Sequence, residues 1–103
     1  MSAPVENLTT LAEYQMEARR TINRALTDDQ RLLDATAGLA EEAGEVLSHV
    51  RKHVFQGRPL DRDAVTLELG DALWCLAIAA DTLGVSLTDV ARRNVEKLRS
   101  RHP

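Results

Sequence analysis

The chain has 103 residues, a formal net charge of -3 and 44% hydrophobic residues, yet aromatics make up only 3% of it. Such a length suits one domain, such a charge excludes the general footprint of nucleic-acid binding, and a core so poor in rings must be packed from Leu, Val, Ile and Ala, which suits helices. A lone cysteine, Cys75, excludes an internal disulfide and fits a cytoplasmic protein.

The opening MSAPVENLTT has no basic start leading into an apolar stretch, so no signal peptide is expected, and residues 1–8 read as a loose arm. In TLAE, Thr10 and Glu13 have the spacing of a capping box. Leu11, Tyr14, Ala18, Ile22 and Ala25 follow at helical spacing, predicting a first helix over 11–26. TDDQ repeats the signal with Thr27 and Gln30. The second helix carries Leu32, Leu39, Ala43, Val46, Val50 and Val54 on one stripe until QGRP breaks it. Asp61 caps a third helix over about 62–83, and Gly84 closes it. Ser86 with Asp89 opens a fourth, running to about Arg99. No stretch shows sustained period-two alternation. The expected fold is therefore all-α, an antiparallel four-helix bundle forming a single domain over residues 1–103.

Residues 72–80 are all apolar, but this run falls well short of the roughly 20 residues needed to span a bilayer, so no membrane partner is expected. A small chain with one helix apolar nearly all round points to a homo-oligomer that covers it.

Two carboxylates head that apolar helix. On a helical wheel Glu68 and Asp71 fall about 60° apart with Cys75 between them. One reading is that they sit in the exposed first turns, where negative charge favours a helix N-terminus. That suits Glu68 better than Asp71, about ten residues in. The second helix holds LAEEAGEV, with Glu41, Glu42 and Glu45, of which Glu42 borders the apolar stripe. If the two helices are antiparallel neighbours, Glu42, Glu45, Glu68 and Asp71 converge. Four carboxylates in a dry site cannot all stay charged without cations. Oxygen-only ligation favours hard ions such as Mg²⁺, with Mn²⁺ able to substitute, and four charges match two divalent ions. Each acidic pair also encloses a glycine, Gly44 and Gly70, consistent with close helix approach.

The fourth helix ends in ARRNVEKLRSRHP. Leu87, Ala91 and Leu98 form its apolar stripe, and Asn94, Lys97 and Arg101 line one border. They suit either a solvated face near a helix C-terminus or a set of phosphate-oxygen ligands. Lys52, on the Glu45 side of the second helix, has the same two readings. His49 fits the surface or a supporting place beside the acids. Trp74 and Cys75 fit the core, or a wall against which a base packs.

Taken in order, GLAEEAGEV, LELGDALW and RRNVEKLRSRHP resemble the MazG-like, all-α nucleoside triphosphate pyrophosphohydrolases, over about Thr10 to Pro103. The pairing of E-x-x-E with E-x-x-D matches that family's metal-binding signature, and Glu42, Glu45, Glu68 and Asp71 occupy its positions. The resemblance implies hydrolysis of a nucleoside triphosphate to monophosphate and pyrophosphate, with two or more Mg²⁺ activating a water that attacks the α-phosphorus. It implies that Glu41 or one of the ligands, Glu42 or Glu45 among them, accepts the water's proton. Asn94 and Lys97, with Arg101 or Lys52, would hold the outgoing phosphates, and Trp74 would face the base. Sites shared within homodimers or homotetramers are also implied. Two departures stand out. Glu41 stands where many similar members have a small residue, and Cys75 where many have tyrosine, which implies a wider pocket if that position touches the base. Phosphoribosyl-ATP pyrophosphohydrolase, on the same fold, and a non-catalytic helical dimerisation or regulatory module are the rival readings. A di-iron carboxylate bundle is disfavoured because no E-x-x-H occurs.

Overall fold

A computed structural model describes residues 4–103. The described residues hold four α-helices and no strand: α1 (Leu11–Arg19), α2 (Asp28–Gln56), α3 (Arg62–Thr82) and α4 (Leu87–Arg101). Of the expected loose arm, residues 1–3 lie outside the described part, and Val5–Asn7 form one exposed 3₁₀ turn.

Most helix ends follow local side-chain chemistry. Thr27 Oγ1 accepts the Gln30 N–H at 3.2 Å while Gln30 Oε1 accepts the Thr27 N–H at 3.0 Å, a complete capping box. At α1 only half of the box forms: Thr10 Oγ1 accepts the Glu13 N–H at 3.1 Å, but the Glu13 carboxylate reaches past Thr10 to the Thr9 N–H at 3.3 Å. Asp61 caps α3 through the Ala64 N–H, and Ser86 caps α4 through the Asp89 N–H, each at 3.0 Å. At the end of α3, Gly84 takes φ 74°, and the Val85 and Gly84 N–H groups close back on Ala80 and Asp81 carbonyls at 2.9 and 3.0 Å. This is a Schellman ending, in which glycine tolerates the left-handed position one residue past the cap.

α1 ends at Arg19, not near residue 26 as its apolar spacing predicts. The segment Thr21 to Asn23 offers the backbone other partners. Thr21 Oγ1 donates to the Ala18 carbonyl at 2.7 Å, and Asn23 Oδ1 accepts the Ala25 N–H at 3.0 Å. The Arg31 guanidinium then collects the carbonyls of Asn23 and Leu26 at 3.3 and 3.2 Å, tying this turn to the start of α2.

α2 and α3 form a helical hairpin, and among the helices α2 packs against α3 alone. α1 lies against α3 and α4. The buried core is Ala18, Ala35, Ala77, Ile78, Ala80 and Leu87, with Tyr14, Ile22, Trp74 and Ala79 half-buried around it. Gln15, also buried, accepts the Leu87 N–H at 2.9 Å and donates to the Val85 carbonyl at 3.1 Å, so its amide clamps the α3–α4 turn onto α1. The close approach of α2 and α3 falls at Gly38, where a Cβ would stand 3.0 Å from Cys75 Sγ. It does not fall at Gly44 or Gly70, where an added Cβ would meet no other part of the chain within 4 Å, so the expected reason for those two glycines is corrected.

The apolar stripes are only partly used within one chain. Leu32, Leu39 and Val46 are half-buried, but Ala43, Val50 and Val54 are exposed, as are Leu67 and Leu69 on α3. α4 leaves α3 at 102°, burying Leu87 while Leu98 stays exposed. No single helix among the described residues is long and apolar enough to cross a membrane.

Candidate metal centre

Glu42 and Glu45 lie on successive turns of α2, and Glu68 and Asp71 on successive turns of α3. Because the hairpin folds the two helices side by side, Glu42, Glu68 and Asp71 each bring a carboxylate oxygen within 4.8 Å of the other two. Glu42 and Glu68 are half-buried and Asp71 is exposed. Glu45 stands exposed on the next turn of α2, outside the closest group but near enough for its charge to act on Glu42.

The electrostatics of this group are strained. Glu42 is pushed up to about 7, first by a hydrogen bond with the Glu68 carboxyl, then by loss of surrounding water and by the charges of Glu68, Asp71 and Glu45. Its Oε2 is cut off from solvent and has no hydrogen-bond partner. Such an atom is costly unless something positive meets it. A proton meets that need in part; a divalent cation would meet it fully. The donor set is all oxygen, which fits a hard ion such as Mg²⁺ or Mn²⁺. Cys75 does not alter that chemistry. Burial, followed by the charges of Glu42, Asp34 and Asp71, raises its pKa and keeps it a thiol.

Glu41 is exposed on α2. Trp74, half-buried one turn after Asp71, donates its Nε1–H to Thr21 Oγ1 at 2.7 Å, which pins the indole to the turn after α1. Lys52 lies toward the C-terminal end of α2 in a small cleft with His49. Asn94, Lys97 and Arg101 are exposed on the diverging half of α4, and α4 makes no contact with α2, so one chain does not bring them to Glu42. Tyr14, read from the sequence only as part of the apolar spacing of the first helix, also lies beside the acids. Burial raises its pKa first, and the charge of Asp71 adds to that, so its ring lies near Asp71. Gln15 was missed, although Leu11, Gln15, Ala18 and Ile22 share one helical phase, and a polar side chain in that phase signals a buried hydrogen bond.

The model of the MazG nucleotide pyrophosphohydrolase domain matches residues 30–103. The chain belongs to the MazG family. The match spans nearly all of α2 and the whole of α3 and α4, so all four acids of this MazG domain lie inside it, while α1 with Tyr14 and Gln15 lies before it. Among curated relatives, Gene 37 protein of Mycobacterium phage L5 is 40% identical over 70 residues, covering 64% of this chain and 61% of the phage protein. Uncharacterized protein YvdC of Bacillus subtilis (strain 168) is 38% identical over 72 residues, covering 61% of this chain and 68% of that protein. The aligned part thus spans about three fifths of the phage relative's length. No solved structure matches significantly.

Proposed function

We propose that this MazG domain hydrolyses nucleoside triphosphates, ribo or deoxy and including non-canonical ones, to the monophosphate and pyrophosphate. The observation that carries the reading is the convergence of Glu42, Glu68 and Asp71 around an unpartnered Glu42 Oε2. Those three acids with Glu45 would hold Mg²⁺, two or more ions per site, with Mn²⁺ as a substitute. When bound, the metal supplies charge neutralisation for the phosphates and a more acidic water. Glu45, whose charge acts on the cluster, or Glu41, the exposed neighbour of Glu42 in sequence, accepts the proton of the attacking water. Water adds to the α-phosphorus, the bond to the bridging oxygen breaks, and pyrophosphate leaves. Lys52, on the side of α2 that carries Glu45, attracts the departing phosphates. Trp74, held through Nε1, offers a ring face to the base.

Asn94, Lys97 and Arg101 serve in this reading from a second copy of the chain, because their own α4 diverges from α2. A homodimer or homotetramer would also cover the exposed apolar residues of α2 and α3.

The test is incubation with Mg²⁺ and a panel of ordinary and modified NTPs and dNTPs, resolving pyrophosphate from orthophosphate. Pyrophosphate with monophosphate is expected from a subset, and Asp71→Asn should lose at least a hundredfold in turnover while its helical circular dichroism stays as in the wild type. Orthophosphate as the product, or full activity in Asp71→Asn, would overturn the assignment. No turnover across the panel would move the reading to phosphoribosyl-ATP or to a non-catalytic module.

A further inference from the structure

A second polar cluster lies further along α2. Seven residues are close to two turns, so Lys52 stands on the side of α2 that carries Glu45, about 10 Å nearer the helix C-terminus. There the α2–α3 turn encloses a cleft of about 250 Å³ lined by His49, Lys52, His53, Arg58, Pro59 and Asp61.

The charges of this cleft suit an anion. Lys52 and Arg58 bring two cations, and among the described residues neither is in an ion pair. Asp61 is the one acid in the lining, and its Oδ1 is already committed to the Ala64 N–H as the cap of α3. A lysine near a helix C-terminus is expected on dipole grounds alone. Arg58 is not, because it lies beyond the helix and lines the same cleft. Gly57, at φ 66°, makes that reversal possible. His53 then braces it: the ring Nδ1 lies 2.6 Å from the Arg58 carbonyl. A carbonyl only accepts, so the ring carries the proton on Nδ1 and donates it.

We infer that this cleft binds a phosphoryl group. Lys52 supplies a point charge, the Arg58 guanidinium supplies a planar fork suited to phosphate oxygens, and His53 is a positioning residue for Arg58. The phosphoryl group is either the terminal phosphate of a nucleotide resting on the carboxylates, a case that rests on the proposed hydrolysis, or free pyrophosphate. A transition metal held by His49, His53 and Asp61 is the competing use of the same lining. The two unpaired cations disfavour it.

Calorimetric titration of inorganic pyrophosphate into the full chain in EDTA tests the inference without any metal on the carboxylates. Saturable binding is expected. Lys52→Gln and Arg58→Gln, both at exposed positions, should each weaken it by about tenfold or more, the usual effect of losing a charge-assisted hydrogen bond. His53→Ala should weaken it as well, and His53→Asn, whose amide N–H stands where Nδ1–H stood, should restore it. In the presence of Mg²⁺, an α,β-methylene triphosphate that Arg58→Gln binds less tightly than wild type, with nucleoside monophosphate unaffected, identifies the nucleotide's own phosphates as the occupant. If Arg58→Gln changes pyrophosphate binding alone, free pyrophosphate is the occupant. Pyrophosphate that fails to bind, or binds the variants as well as wild type, overturns the inference. So does Zn²⁺ binding that His49→Ala and His53→Ala abolish while pyrophosphate is ignored. Because the first titration involves no hydrolysis, an inactive protein in the NTP panel leaves its result standing.

Discussion

Glu42 concentrates the chemistry of this protein in one side chain. Its folded-state pKa, about 7, lies above the ordinary 4.5 because Glu68 shares a proton with it and water is scarce around it. Between pH 4.5 and about 7 the metal-free folded chain keeps a proton that the unfolded chain has lost. This contribution to stability is therefore full below 4.5 and is lost as pH rises through about 7. In EDTA, the melting temperature of the wild type should fall over that range relative to Glu42→Gln, whose amide does not titrate. Added Mg²⁺ should then stabilise the wild type more at pH 8 than at pH 5, because an ion competes with the proton for the same oxygens. Parallel pH profiles for the two proteins would show that Glu42 does not carry the shared proton.

The α2–α3 hairpin brings the acids together, and a close approach of the two helices lies one turn from them, at Gly38. At Gly38 an added Cβ would meet Cys75 Sγ at 3.0 Å, and Cys75 is buried, with little room to yield. Alanine normally gains about 1 kcal/mol over glycine inside a helix. That gain should vanish for Gly38→Ala in the wild type and return in a Cys75→Ala background. Urea unfolding of the four proteins should give a coupling of about 1 kcal/mol or more, whereas additive effects would mean that the helices are held apart by something other than this contact. Gly44→Ala provides the contrast, since open space surrounds that position and the full gain should appear.

The shape of the whole chain departs from that of a closed bundle. Its radius of gyration is 16.0 Å, against about 13 Å for a compact domain of 100 residues. Among the described residues no large side chain is fully buried, while Phe55, Leu67 and Leu33 are 80, 73 and 70% exposed. A core of four alanines and Cys75 with one isoleucine and one leucine is a thin source of stability. We therefore expect light scattering to give a multiple of the 11.4 kDa chain mass at micromolar concentration. The melting temperature should also rise with protein concentration, as it does when folding and association are linked. A monomer whose melting temperature ignores concentration would show that the exposed stripes need no second copy.

What could be read along the chain is what acts over a few residues. The caps at Thr27, Asp61 and Ser86 each find their partner three positions later, and the left-handed glycine at 84 lets its own N–H and that of Val85 close back on Asp81 and Ala80. The spacings E-x-x-E and E-x-x-D were legible for the same reason, since a helix turns them into neighbours on one face. What needed the folded chain depends on partners far apart in sequence. Gln15 satisfies Val85 and Leu87, Trp74 satisfies Thr21, and Gly38 rather than Gly44 or Gly70 makes room for Cys75. The turn at Gly84 could be foreseen, but not the 102° at which α4 leaves it, and that angle is what takes Asn94, Lys97 and Arg101 away from the acids of their own chain. Local hydrogen bonds and helical phase are properties of short segments. The direction in which one helix leaves another is decided by the packing of side chains that the sequence holds dozens of residues apart.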